Sequence, residues 1–127
     1  MANMKDILVP ISPGELLDKI TILRIKSQRM TDPAKLANVR FELEALEETW
    51  TKSTYARVDV EDDVRALLAV NERLWKIEDD IRDKERVQVF DADFIRLARA
   101  VYLENDERAA IKRRLNAKLD ELLRWRT

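Results

Sequence analysis

Cysteine and histidine are both missing from this sequence of 127 residues. Without cysteine there is no disulfide framework, no thiolate nucleophile and no thiolate zinc site, and without histidine the commonest general base and metal ligand is lost. Catalysis would have to use carboxylates, lysines, tyrosines or a hard metal ion. No remaining motif indicates a reaction, so enzymatic activity stays an open question, and we predict no cofactor and no resident metal.

Residues that break helices are also scarce, with one glycine and three prolines in the whole chain. They leave no room for a flexible linker, and 46% of hydrophobic residues suits one core, so we predict a single domain over residues 1–127. The apolar run from Ile7 to Ile11 is interrupted by Pro10. It is too short for a signal peptide or a membrane span, which predicts a cytoplasmic protein with no membrane partner.

Neither sign of charge is in excess, because 24 basic residues face 25 acidic ones. The chain from Arg108 onward is basic, but no aromatic or glycine-rich element is interleaved with its charges, and residues 59–85 are acidic. Neutralisation within the protein or between subunits explains this pattern better than a nucleic-acid partner does. A charged fraction of 39% is typical of long solvated helices.

Two proline-containing start signals place the first helices. Residues 1–11 read as a short extended arm, and Ser12-Pro13-Gly14-Glu15 then predicts a helix to about Met30, with Ser12 capping the amide of Glu15 and Glu15 reaching back to Ser12. Asp32 before Pro33 starts a second helix that ends near Trp50. The short connection predicts that these two helices form an antiparallel hairpin.

Two longer helices follow a polar loop at residues 51–59. We predict the third from about Asp59 to Val87 and the fourth from a cap at Asp91 or Asp93 almost to the end of the chain. The sequence thus predicts an all-α antiparallel bundle of about four helices with coiled-coil spacing. Helices of about 30 residues would be about 45 Å long, more than a compact monomer needs, which favours a homodimer joined through the helix ends. The predicted seam of the third helix is Val60, Val64, Leu67, Asn71, Leu74, Glu78, Ile81 and Glu85.

Three polar residues of that seam, Asn71, Glu78 and Glu85, recur every seven positions. Antiparallel pairing of the third and fourth helices would bring Asn71 near Asn105 and Arg108, and the first helix could add Asp18, Lys19 and Lys26. Burying such groups without partners costs several kcal/mol each, so we expect them to be paired, hydrated or bound to a ligand.

Two functional interpretations of this polar seam are open. In the one we favour, the seam is a charged interhelical pocket that binds a small anionic or polyhydroxylated ligand; in the alternative it only sets helix register and dimer pairing in a non-catalytic scaffold or interaction module. A magnesium site at Glu78, Asp79 and Glu85 is a weaker option. The predicted ligand-binding residues are Lys19, Lys26, Asn71, Glu78, Arg82, Asn105, Arg108 and Lys112.

Three segments carry a resemblance to a known family. ISPGELLDKITIL from Ile11, NERLWKIED from Asn71 and NDERAAIKR from Asn105 resemble, in this order, a bacterial family of small all-helical proteins catalogued as a domain of unknown function. The resemblance implies the same helical fold, and its pattern includes most of the polar residues named above. That fits a shared site and equally a shared register device. Members of the family end in an acidic, aromatic tail, whereas this chain ends LRWRT.

Overall fold

The computed structural model describes residues 5–124, except for the side chain of Leu123, and within that range the chain is helical with no β-strand. The all-α prediction is confirmed. Residues 6–12 form an extended arm without regular secondary structure. The helices are α1 (Pro13–Arg29), α2 (Pro33–Thr51), a 3-10 turn (Thr54–Arg57), α3 (Glu61–Arg86) and α4 (Ala92–Arg124).

Side-chain caps begin three of the four α-helices where the sequence predicts them. The Ser12 hydroxyl accepts a hydrogen bond from the Glu15 amide at 3.2 Å, and Asp32 caps α2 at 3.0 Å. Of the two candidates for α4, Asp91 is the cap, since its carboxylate accepts from the amide three residues on at 3.0 Å. The Glu15 carboxylate, predicted to reach back to Ser12, instead accepts a hydrogen bond from Lys112 of α4.

Helix α1 lies at the centre and packs against the other three helices, whereas α2 packs mainly on α1. This arrangement follows from the wide apolar face of α1, which is buried on most sides. Trp50 at the end of α2 stacks on Tyr55 of the 3-10 turn with ring centroids 6.2 Å apart. The hydrophobic core comprises Leu16, Leu17, Ile20, Val60, Leu67, Val70, Leu74, Ile111, Leu115 and Leu119.

The inward face of α3 differs from the predicted seam in its second half. Asn71 is buried as expected, but Glu78 and Glu85 are exposed, and the apolar residues Ile77 and Ile81 are half-buried. Seam residues lie three or four positions apart, so the residue after Leu74 in the seam could be either Ile77 or Glu78. The apolar Ile77 occupies the inner side because burying Glu78 without a partner would be costly. The predicted seam was therefore wrong at Glu78 and Glu85 and right at Ile81.

Helix α4 buries one face and exposes the other over its length. Leu97, Ile111, Leu115 and Leu119 are buried, and the residues on the opposite side of the helix are exposed. No helix among residues 5–124 is both long and apolar enough to cross a membrane.

The only glycine in the sequence lies where the start of α1 crosses α4. The Gly14 amide donates a hydrogen bond to Asn116 Oδ1 at 2.7 Å. A Cβ atom at Gly14 would lie 2.9 Å from both Asn116 Oδ1 and the Lys112 carbonyl oxygen. Cβ atoms in proteins essentially never come within 3.0 Å of such a neighbour. The close approach of the two helices therefore requires glycine at this position.

We predict that Gly14→Ala lowers the free energy of unfolding by about 1–3 kcal/mol, because the backbone of Lys112 cannot move aside cheaply. At an unhindered helical position the same change would stabilise by up to about 1 kcal/mol. Urea unfolding measures the difference, and Asn38→Ala on the exposed face of α2 is the control, expected to keep or slightly raise the midpoint. An unchanged midpoint for Gly14→Ala would show that the crossing is looser than described.

Candidate functional site

A buried asparagine joins the three helices at the centre of the molecule. The Asn71 side-chain amide of α3 donates to Asp18 Oδ1 at 2.8 Å and to Thr21 Oγ1 at 2.9 Å, both on α1. Arg108 of α4 donates to Asn71 Oδ1 at 3.1 Å. Asp18, Thr21 and Asn71 are only 3%, 0% and 5% exposed. Both ends of one amide are therefore used, the donor end toward α1 and the acceptor end toward α4.

Lys112 of α4 contacts the second oxygen of the Asp18 carboxylate. Lys112 Nζ lies 3.0 Å from Glu15 Oε2 and 3.4 Å from Asp18 Oδ2. One oxygen of the buried Asp18 thus faces Asn71 and the other faces Lys112, and this pairing offsets the desolvation of its charge. We call the six residues that meet here the central polar cluster: Glu15, Asp18, Thr21, Asn71, Arg108 and Lys112.

The electrostatics of the cluster are visible at its outer carboxylate. The hydrogen bond from Lys112 lowers the pKa of Glu15 from its ordinary value of 4.5; partial burial opposes this shift, and the charges of Lys112, Lys19 and Arg108 add to it. The carboxylate is consequently ionised at neutral pH. Three cations therefore act on the Glu15 carboxylate at the start of α1, and two of them, Arg108 and Lys112, balance the two carboxylates of the cluster.

The structure brings together three of the eight predicted site residues, Asn71, Arg108 and Lys112. Lys19 is exposed, yet close enough for its charge to act on the cluster. Lys26 and Asn105 are half-buried, and within residues 5–124 neither side chain contributes a hydrogen bond or an ion pair.

Glu78 and Arg82 lie apart from the cluster on an exposed face of α3. Arg82 pairs with Glu78 at 3.8 Å and with Asp79 at 3.0 Å, both on its own helix. They leave the interhelical seam because Ile77 and Ile81 point inward there instead. Glu78, Asp79 and Glu85 also fail to gather into a cation site, since no group of three potential metal ligands occurs in the part of the chain that the structure describes.

Sequence reasoning missed Glu15 and Thr21 as members of the cluster and named Asp18 only as a possible addition. A signal was present, because Asp18 and Thr21 interrupt the apolar face of α1 beside Leu17 and Ile20 at a spacing of one turn. Polar residues in a buried stripe require partners on the facing helices. Thr21 also donates to the Asp18 carbonyl at 2.7 Å, which leaves its oxygen free to accept from Asn71.

A wide surface depression lies away from the cluster. It has a volume of about 680 Å³ and lies between the end of α1 and the outer side of α3. Its walls alternate in charge, with the cations Arg29, Arg73 and Lys76 beside the carboxylates of Glu72, Asp79, Asp80 and Asp83. Such a mixture of both signs does not select one class of charged ligand.

Comparison of the chain with protein-family models, with curated proteins and with solved structures gave no significant match. The resemblance to a bacterial family of unknown function therefore stays a prediction, and the function has to be argued from the geometry of this chain.

We predict that Glu15→Gln destabilises the protein at neutral pH and that the difference from wild type narrows as the pH falls below about 4.5. A carboxylate whose folded-state pKa is lowered contributes stability above its unfolded pKa, and this contribution is lost as the pH falls through the folded value. Urea unfolding at several pH values measures it. In a Lys112→Met background the effect of Glu15→Gln should largely vanish; an effect of the same size there would show that Lys112 is not its cause.

Proposed function

We propose that this chain is a non-catalytic helical interaction module in which the central polar cluster fixes the register of α1, α3 and α4. The observation that carries this proposal is that the buried polar atoms of the cluster are all paired within the chain. Among the described residues, no buried side-chain nitrogen or oxygen lacks a hydrogen-bond partner. A site prepared for a buried ligand would be expected to leave polar atoms for that ligand to pair.

The energetics of buried polar groups explain how such a cluster would specify one packing. Asn71 meets Asp18 and Arg108 together in the observed alignment of the helices, and a shift of α3 by one turn would leave one oxygen of the buried Asp18 carboxylate without its hydrogen bond. An unpaired buried group of this kind costs about 1–3 kcal/mol or more. The apolar contacts of the core are less selective, because leucines and isoleucines pack in several registers.

Exposed apolar side chains support a role in binding another protein. Val87, Phe90 and Ile95 at the turn between α3 and α4 are 65%, 52% and 59% exposed, and Ile7 and Leu8 of the N-terminal arm are 89% and 77% exposed. Contiguous apolar patches mark interaction sites in soluble proteins, and the turn and the arm are two segments in which exposed apolar side chains are close together in the sequence. The proposal includes a homodimer with coiled-coil-like contacts, which the length of the helices favours, and a cytoplasmic setting. The sequence resemblance adds a bacterial source.

We predict that Asn71→Ala lowers the free energy of unfolding by about 2–4 kcal/mol, because the buried Asp18 loses one of its two partners and Arg108 loses its hydrogen-bond acceptor. Thermal unfolding should show a midpoint lower by about 10 °C. Glu78→Gln is the matched control seven residues further along α3, and we expect it to be nearly neutral because Glu78 is exposed and pairs only within its helix.

Equal midpoints for wild type and Asn71→Ala would contradict the register role. Arg108→Ala gives an independent reading, since it removes the α4 contact and leaves the bonds from Asn71 to α1 in place. We expect an intermediate loss, smaller than for Asn71→Ala.

A second candidate function is the binding of a small anion at the outer edge of the cluster. Arg108 favours it: the side chain is half-buried and, within residues 5–124, makes a single hydrogen bond, so most of its five donors remain for a ligand. Lys19 and Lys112 add positive charge nearby. A carboxylate or phosphate group, including that of a polyhydroxylated ligand, matches this arrangement.

A thermal-unfolding screen against sugar phosphates, nucleotides, dicarboxylates and divalent cations tests the second candidate. Ligand at a hundredfold excess over its dissociation constant should add about 2.7 kcal/mol of stability, which raises the midpoint by about 10 °C. We expect Arg108→Ala to abolish the shift and Arg40→Ala, an exposed control on α2, to retain it. No shift with any compound would rule against the anion site and leave the interaction module.

A further inference from the structure

The outer face of α4 is exposed along the whole helix and carries a regular pattern. Its residues alternate four and three positions apart, as in a helix that packs lengthwise on a second helix. None of the other helices covers this face, since every one of its residues is exposed. The central part of the α4 outer face consists of Arg99, Leu103, Asp106, Ala110, Arg113, Ala117 and Asp120.

The charges on this face complement one another about its midpoint. The midpoint between Asp106 and Arg113 lies between Ala109 and Ala110, and the midpoint between Arg99 and Asp120 is the same. If two α4 helices pack antiparallel about that point, one register therefore places both acidic residues opposite basic residues of the other copy. A parallel pair would instead place each charge against its own like, which is unfavourable.

The charges of the whole helix α4 are also distributed unevenly along its length. Residues 92–107 contain four acidic and two basic residues, whereas residues 108–124 contain six basic and two acidic ones. Antiparallel pairing lays the acidic half of one helix on the basic half of the other. The same register brings Leu103 over Ala117 and leaves the small Ala110 beside the axis, where two helices can approach closely.

We propose that two copies of this chain form a twofold-symmetric dimer by antiparallel packing of their α4 outer faces. In this dimer Asp106 pairs with Arg113 of the partner subunit, and Arg99 pairs with Asp120 of the partner subunit. The proposal rests on the interaction-module function and names its partner as a second copy of the chain.

The size of the face is sufficient for a weak, specific dimer. A helix of 33 residues is about 50 Å long, and a strip about 10 Å wide along it covers about 500 Å² on each copy. The two copies together would bury about 1,000 Å², close to the lower bound for a specific interface. We therefore expect a dimer that dissociates on dilution.

Sedimentation velocity or light scattering over a dilution series of the wild-type chain measures the assembly directly. Ala110→Glu places two like charges beside the axis and should raise the dimer dissociation constant at least tenfold, equal to about 1.4 kcal/mol. Ala98→Glu is the matched control, because Ala98 is also exposed on α4 but points about a third of a turn away from Ala110 around the helix. A wild-type monomer at all concentrations, or a dimer that Ala110→Glu leaves intact, would overturn the proposal.

A charge exchange tests the antiparallel register. Asp106→Arg and Arg113→Asp should each weaken the dimer, and the double variant should restore it, because the exchanged charges face each other across the axis. The chain has no cysteine, so a mixture of Leu103→Cys and Ala117→Cys proteins should form a disulfide between unlike subunits faster than either variant forms one alone. Failure of both tests with a dimer still present would rule out this register.

These outcomes are separable from those of the interaction-module proposal. Asn71 lies in the buried cluster and not on the outer face of α4, so the Asn71→Ala stability test reads the register role alone. A monomeric wild type with a strongly destabilised Asn71→Ala variant would reject the dimer and keep the register role.

Discussion

The hydrogen bonds of Asn71 connect three helices, α1, α3 and α4, and the packing of these helices depends on them. Its amide donates to Asp18 and Thr21 on α1 and accepts from Arg108 on α4, so one side chain of α3 connects three helices. Each of these partners depends on the others. Asp18 is a buried carboxylate whose two oxygens are paired with Asn71 and Lys112, and Thr21 accepts from Asn71 because its own hydroxyl proton is donated to the Asp18 carbonyl.

The close crossing of α1 and α4 at Gly14 also fixes how these two helices pack. Glycine allows the backbone of α1 to come close enough for Asn116 to accept its amide, and the same approach brings Glu15 within reach of Lys112. The polar contacts and the close packing therefore require each other. This explains why a residue suited to capping its own helix uses its carboxylate for a contact with a distant one: the tertiary partner is a charged lysine, whereas the local partner is a neutral amide.

The helices were predictable because the residues that cap their N-termini are close in sequence to the amides they bind. Ser12, Asp32 and Asp91 cap helices through side chains that reach only two or three positions along the chain. The meeting of Asn71 with Arg108 was also predictable, since a short turn forces α3 and α4 to pair antiparallel. The inward face of α3 beyond Leu74 was not, because heptad spacing fits Ile77 and Glu78 equally well and only the three-dimensional packing decides between them. The role of Thr21 depended on α1 docking beside α3, which no local signal specifies.

The bonds of the central polar cluster also bear on the order in which the chain folds. Its bonds to α1 link residues 50 to 97 positions apart, whereas the α1–α2 and α3–α4 hairpins each join neighbouring segments. Contacts between distant segments cost more chain entropy to close and tend to form late. We therefore expect the two hairpins to form early and the cluster to assemble as they dock, after the rate-limiting step. On this view the cluster governs how slowly the native protein opens more than how quickly it is made.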